Sequence, residues 1–314
     1  MLHFPEGDGP VLVIGAAGVD IVGRAASKLQ PGTSNPGRLR ISHGGVARNV
    51  AENLAHLGTD TILLTAVGDD PLGRQILARS EREGVDVSPS IIDKKRQTGA
   101  YLAVLDLHGN LHHGLDDMGV IGSITPEALR RRSNLFQQAS VLVLDCNLPP
   151  SSLATAFDLA ARANLPVAVD PTSSLLAPRL QPHLDGIWLL SPNEREAEVL
   201  CPMEIPHEDE ASAIEAARHL TTHGIEMVMI TRAEFGVGYA TSEGSGHVPA
   251  VKTEITDPTG AGDALLATVI FALMNEIPVD ESVRLGVTAA SLTLRSRDSV
   301  VPDLSLEMLY DQLI

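Results

Sequence analysis

Six short runs of β-branched and aliphatic residues recur along the chain, each followed by a stretch of helical character. They are VLVIG from Val11, TILLTAV from Thr61, VLVLD from Val141, PVAVD from Pro166, IWLL from Ile187 and MVMIT from Met227. Runs that are apolar throughout, rather than alternating, need cover on both faces, and strand–helix alternation supplies it in a mostly parallel sheet. The fold class is therefore α/β, a mostly parallel sheet flanked by helices on both faces. Several runs end in Gly, Asp, Ser or Thr. Ligands of such sheets bind beyond the carboxyl ends of the strands.

A length of 314 residues fits one large α/β domain or two average ones, and 44% apolar residues supply ample core. No internal repeat, low-complexity segment or linker divides the chain, so residues 1–314 read as a single domain. Two stretches break the rhythm. One is roughly 18–45, rich in Gly, Ser and Pro; the other is roughly 97–117, where TGAYLAVLDLHGNLHHGL reads as a hairpin turning at His108-Gly109-Asn110. Together they predict a small sheet standing off the main one, as a lid would.

With 23 Lys and Arg against 40 Asp and Glu, the formal charge is −17, which opposes DNA or long RNA as a partner. The opening MLHFPEGDGP has no basic segment followed by an apolar one, and no run is long enough to span a bilayer. The expected location is the cytoplasm. Cys146 and Cys201 stand far apart without ligand spacing, which speaks against a disulfide or zinc.

Asp257-Pro258-Thr259-Gly260-Ala261-Gly262-Asp263 precedes an uncharged stretch from Ala264 to Met274. A helix apolar all round has to be buried, so Asp263 is expected where solvent is scarce. Pro258 bars an earlier helix start, and the glycines let successive N–H groups turn toward one point at the positive end of the helix. Such a turn suits an anion, and a carboxylate beside it suits a general base. A Gly-rich turn with Asp as the helix cap explains the same residues without chemistry. The stretch lacks the Lys of a P-loop, and Gly15-Ala16-Ala17-Gly18 is no dinucleotide fingerprint.

In GGVARNVAENLAHLG, Val46, Val50, Leu54 and Leu57 make one apolar stripe, with Asn49 in the first turn off it. Gly44, Gly45 and that amide can approach and hydrogen-bond hydroxyls, or simply form a tight entry turn. Ser191-Pro192-Asn193-Glu194-Arg195-Glu196 predicts a capping box of Ser191 and Glu194 around Pro192, leaving Asn193 and Glu196 for a hydrated Mg²⁺. Thr125-Pro126-Glu127 predicts another helix start. His108, His112, His113, Asp116 and Asp117 cluster in the hairpin. Adjacent His112 and His113 are expected on opposite strand faces, which favours a solvated hairpin over a metal site.

The spacing GG-x-A-x-N-x-A-x6-G-x9-G from Gly44 to Gly68, then N-x-x-E at 193 to 196 and D-x-T-G-A-G-D at 257 to 263, resembles the PfkB/ribokinase family of sugar and nucleoside kinases. The resemblance spans essentially the whole chain. It implies a Rossmann-like, ribokinase-like α/β fold with a small β-sheet lid, and transfer of phosphate from ATP, with Mg²⁺, to a primary hydroxyl. It implies Asp20, Gly44, Gly45 and Asn49 around the substrate hydroxyls, Asp263 as the base, and the amides of Gly260, Ala261 and Gly262 as the anion hole. It assigns Asn193, Thr231 and Gly236 to ATP, Glu196 to Mg²⁺ through water, and Asp257 and Thr259 to a monovalent cation such as K⁺. It also implies a homodimer paired through the lids.

Within the family, Thr33-Ser34-Asn35-Pro36-Gly37, the helix after Gly44, Asp117-Met118-Gly119 and Asp145-Cys146-Asn147-Leu148-Pro149 are similar to the pseudouridine-kinase subgroup. This adds Asp117 and Asn147 to the substrate residues and implies a nucleoside 5′-hydroxyl as acceptor. Family members commonly carry Glu at the position of Asn147, and an amide there suits a polar nucleobase. Two departures stand out. Ala233 replaces the usual Gly in Thr231-Arg232-Ala233-Glu234-Phe235-Gly236, at a conformational cost if φ is positive, and Thr268 replaces another. A ribokinase, another nucleoside kinase and a sugar-acid kinase stay open, the last with Arg38, Arg40 or Arg48 as its basic residue. A non-catalytic nucleoside- or sugar-binding protein is the alternative from another class, and the intact Asp263 argues against it.

Overall fold

The computed structural model describes residues 8–109 and 111–313; the reading of the first residues as leaderless and the turn residue Asn110 lie partly or wholly outside them. All six apolar runs contribute strands to one eight-stranded sheet. From one edge the strands are Ser245–Val248, Val237–Thr241, Met227–Thr231, Leu189–Leu190, Val167–Asp170, Val141–Asp145, Val11–Ile14 and Thr61–Leu64. Val237–Thr241 is antiparallel to both neighbours, and every other pairing is parallel.

The central strands explain why their sequences show no polar alternation. Leu12, Ile14, Leu142 and Leu144 enter one hydrophobic core, whereas Val11, Val13, Val141 and Val143 enter the core on the other face. Both faces are covered, so both residue sets must be apolar. The helix Ala261–Met274 is buried as predicted, against the helices Val46–His56 and Val279–Arg295.

Two strand readings change. TILLTAV is divided at Thr65: Thr61–Leu64 joins the main sheet, and Ala66–Gly68 pairs instead with Ile91–Asp93. The last two strands, Val237–Thr241 and Ser245–Val248, were not anticipated, because VGYATSEGSGHV mixes Gly and polar residues into its pattern.

Both irregular stretches form the small sheet, ordered Gly37–Gly44, Gly18–Ala25, Gly99–Leu105, Leu111–Asp117. Its hairpin turns at Gly109 with φ of 93°. The expectation of opposite faces for His112 and His113 fails. Val104 pairs with His113 and Leu105 with Leu111, so His112 is an extra residue, and the two imidazoles lie 4.4 Å apart between centroids. Among the described residues, no group of three or more His, Cys, Asp and Glu is arranged to hold a metal ion. Cys146 and Cys201 are buried free thiols, and among the described residues no helix is long and apolar enough to cross a membrane.

Candidate active site

Asp145 and Asp170 end two neighbouring parallel strands and pair in register. Asp145 is buried; its Oδ2 accepts the N–H groups of Ala16 at 2.7 Å and Ala47 at 3.3 Å, and its Oδ1 accepts that of Asn147 at 2.9 Å. One carboxylate thus ties the loop after the first strand to the start of the helix Val46–His56. Gly15 lies against it: a Cβ there would come within 2.2 Å of the Asp145 carboxylate. Asp20 is packed the same way against Gly44, where a Cβ would come within 2.3 Å of the Asp20 carboxylate. Gly45, with φ of 96°, completes the entry turn.

One turn into that helix, the Asn49 Nδ2 donates to Asp263 Oδ2 at 2.6 Å. The amide expected to hold sugar hydroxyls is thus engaged by the candidate base. Its other end is fixed by Ser299, whose hydroxyl lies 3.1 Å from Asn49 Oδ1 and 3.0 Å from the His43 carbonyl. Arg48 runs beneath, fully buried, donating to Glu52 at 2.7 Å, to the His43 carbonyl at 2.7 Å and to Ser299 Oγ at 2.8 Å. Arg48 is a member of the scaffold, and its guanidinium is committed to these partners rather than free for a sugar acid. Arg40 is likewise engaged, paired with Asp257, and Arg38 is exposed.

The glycine turn begins at Asp257, whose Oδ1 accepts the Thr259 N–H at 2.9 Å. Gly260 has φ of 85°, and a Cβ there would meet the Ser299 carbonyl at 2.1 Å. The helical ladder starts with the Ala264 N–H donating to the Gly260 carbonyl at 2.9 Å. The amides of Gly260, Ala261 and Gly262 precede that bond and have no intrahelical acceptor. Gly262 faces open space, with no heavy atom within 4 Å of a Cβ built on it.

Electrostatics follow from this burial. Burial pushes the Asp263 carboxyl up to about 7; the Asn49 hydrogen bond and Arg48 pull it down, while Asp145 and Asp20 push it further up. Burial raises Asp170 well above the carboxylate range, with Asp263 and Glu196 adding repulsion. Asp20 and Asp145 are raised by burial too, against the pull of Arg48 and Arg40 on the first and of backbone N–H groups on the second. These carboxylates crowd one basin. A cation or a proton relieves it.

The capping box is displaced from its predicted place. The helix Glu194–Leu200 is capped by Asn193: Glu196 N–H donates to Asn193 Oδ1 at 3.0 Å, and Glu196 accepts from Asn193 N at 2.9 Å and Nδ2 at 2.7 Å. Pro192 stays outside because its carbonyl accepts the Thr231 N–H at 2.9 Å, which holds residues 192 and 193 extended beside the strand Met227–Thr231. Glu196 is buried, and its carboxyl is raised by that burial despite Asn193.

A cavity of about 650 Å³ opens beside this corner, lined by Asn193, Thr231, Gly236, Ala261 and Gly262. The sequence reading missed its apolar lining, Val251, Ile255, Val287 and Leu294, and two basic lining residues, Arg195 and Lys252. Gly236 has φ of 91° and admits no Cβ, since one would fall 2.1 Å from the Val248 carbonyl. Ala233 does take positive φ, 45°. Thr268 lies inside the buried helix, its hydroxyl without a partner among the described residues. Asp117 and Asn147 are held locally, Asp117 by the Gly119 N–H at 3.4 Å and Asn147 by Asp145; among the described residues neither bonds to Asp263. Asp170 was legible as the end of a strand and was overlooked. Ser299 carried no motif.

Residues 9–304 match the family described as pfkB family carbohydrate kinase. The chain is 35% identical over 297 residues to pseudouridine kinase of Escherichia coli strain K12, covering 94% of each. It is 27% identical over 297 residues to guanosine-inosine kinase of Exiguobacterium acetylicum, covering 94% of this chain and 97% of the other. Among solved structures, a putative sugar kinase from Clostridium perfringens is similar with a TM-score of 0.82 at 28% identity, over 98% of this chain and 96% of the other. The fold is also that of a ribokinase from Arabidopsis thaliana, TM-score 0.83 at 22% identity, over 96% of this chain and 98% of the other. With this match over nearly its whole length, the chain belongs to the PfkB family of carbohydrate kinases, phosphotransferases that act on hydroxyl groups of sugars and nucleosides.

Proposed function

We propose that this kinase transfers the γ-phosphoryl group of ATP to the 5′-hydroxyl of a nucleoside, with pseudouridine as the acceptor. The observation that carries the reading is the Asn49–Asp263 pair: a buried carboxylate held at 2.6 Å beside amides without intrahelical acceptors. The 5′-hydroxyl gives its proton to Asp263 as its oxygen bonds to the γ-phosphorus and the bond to ADP breaks. Charge on the transferring phosphoryl oxygens is met by the amides of Gly260, Ala261 and Gly262 at the positive end of a buried helix.

The cavity beside the turn is of nucleotide size, with apolar residues to hold a base and with Arg195 and Lys252 in its lining as cations for phosphate charge. Kinases of this family use ATP with Mg²⁺. The crowded carboxylates Asp170 and Glu196 fit a hydrated Mg²⁺ held through water, since the ion prefers oxygen donors and offsets their mutual repulsion. When bound, it neutralises charge on the phosphate oxygens. The small sheet acts as a lid, excluding water that would otherwise accept the phosphoryl group.

The nucleoside reading rests on the 35% identical pseudouridine kinase, on Asn147, and on the commitment of Arg40 and Arg48 elsewhere, which disfavours a sugar acid. The outer face of the lid supports pairing with a second copy. Ile41, Ile21, Leu102 and Leu115 align across its four strands, and Leu39, Ile41 and Leu115 are 77%, 66% and 67% exposed.

ATP consumption with pseudouridine, uridine, adenosine, ribose and 2-keto-3-deoxygluconate, each at equal concentration, tests the assignment. Pseudouridine should be preferred, with a 5′-monophosphate as product. A preference for ribose or the sugar acid would replace the acceptor and keep the chemistry; no consumption with any would remove the nucleoside reading.

A further inference from the structure

Asp257 is where the family resemblance leads one to expect a monovalent cation, and its surroundings do not fit one. The carboxylate is buried, 5% exposed. Its Oδ1 accepts the Thr259 N–H at 2.9 Å, and its Oδ2 meets the guanidinium of Arg40. Both oxygens therefore have donors. Arg40 is fixed at its other side, where Nη1 donates to the Arg297 carbonyl at 2.7 Å. The Asp257 N–H is tethered as well, to the Leu294 carbonyl at 3.3 Å. A K⁺ ion seated on Asp257 would have to displace the guanidinium or sit against its like charge.

Arg40 reaches Asp257 from the strand Gly37–Gly44, on the same face of the small sheet as Asp20, whose partner in that strand is Ser42. We infer that Arg40 is a built-in cation at Asp257: it sets the glycine turn in place of a monovalent ion, and the small sheet carries that charge to the turn. An arginine is always protonated and offers a planar fork of donors, so the pair needs no ion from solution. Its carboxylate end is screened little by salt. Arg40 is then a positioning residue, acting on the anion hole through Asp257. The inference rests on the kinase reading only for its catalytic consequence, not for the ion pair.

Wild type and Arg40→Met are compared in KCl, NaCl and tetramethylammonium chloride at equal ionic strength, with the best nucleoside from the panel above. Wild-type kcat should agree within about twofold across the three salts, whereas Arg40→Met should lose roughly tenfold or more in kcat with less change in acceptor KM, and regain part of it in KCl or with millimolar guanidinium. A second readout needs no turnover. The melting temperature of wild type should be the same in KCl and tetramethylammonium chloride, and that of Arg40→Met should rise specifically in KCl. A K⁺-specific gain in rate or melting temperature in wild type overturns the inference, as does an Arg40→Met enzyme indistinguishable from wild type in every salt. If no nucleoside is phosphorylated, the nucleoside reading falls and the melting comparison still decides the role of Arg40.

Discussion

Burial pushes the Asp263 carboxyl up to about 7, so it titrates near physiological pH, and Asn49 keeps one of its oxygens in place. Asp263→Asn retains shape and an acceptor for Asn49 but cannot take a proton; turnover should fall by about 10² or more, with nucleoside and ATP affinities by calorimetry nearly unchanged. For wild type, kcat/KM should rise with pH through about 7, because the ionised carboxylate is the competent form. Stability should move the other way. The folded-state value lies above the ordinary carboxylate value, so the native protein binds more protons than the unfolded chain between the two, and stability drops as pH rises across that window. Asp263→Asn should accordingly melt above wild type at pH 8, with the advantage closing toward pH 4. At Ala233 the strain is in the backbone: φ of 45° favours glycine. Ala233→Gly should leave the affinity for ATP equal or tighter and raise unfolding free energy by about 1 kcal/mol.

In the helix Ala261–Met274 the two glycines of the turn have opposite structural demands. Gly260 is confined by its φ of 85° and by the Ser299 carbonyl, so Gly260→Ala should cost at least about 2 kcal/mol in denaturant unfolding. Gly262 touches nothing, so Gly262→Ala should leave stability the same or raise it by about 0.5 kcal/mol. The added methyl would still stand where the anion hole must admit phosphate, and turnover should fall severalfold. A Gly262→Ala enzyme as active as wild type would move the phosphoryl group away from this turn. The burial of this helix was legible because no side of it was polar. The capping box was misread because Ser191-x-x-Glu194 and Asn193-x-x-Glu196 satisfy the same rule, and the choice between them is made by pairing to the strand Met227–Thr231, far along the chain. Ser299 escaped for the same reason: its neighbours His43 and Asn49 come from the other end of the sequence.

For the whole molecule, layers and strand content were readable from apolar runs, whereas the antiparallel pair Val237–Thr241 and Ser245–Val248 was not, since its Gly and polar residues interrupt the apolar pattern. The two irregular stretches did announce a separate sheet, and its outer face leads to an assembly prediction. Leu39→Glu with Ile41→Glu should shift the mass in sedimentation from two chains to one while far-ultraviolet circular dichroism stays unchanged; a wild-type monomer would refute pairing through this face. The order of strands also has a bearing on synthesis. Val11–Ile14, made first, lies between Thr61–Leu64 and Val141–Asp145. As the ribosome lengthens the chain, one side of that apolar strand stays without its native partner until Asp145 has emerged, and Asp145 is also the residue that clasps Ala16 and Ala47. The nascent protein must therefore wait, with a sticky strand edge in hand, and chaperone demand should be greatest in that interval.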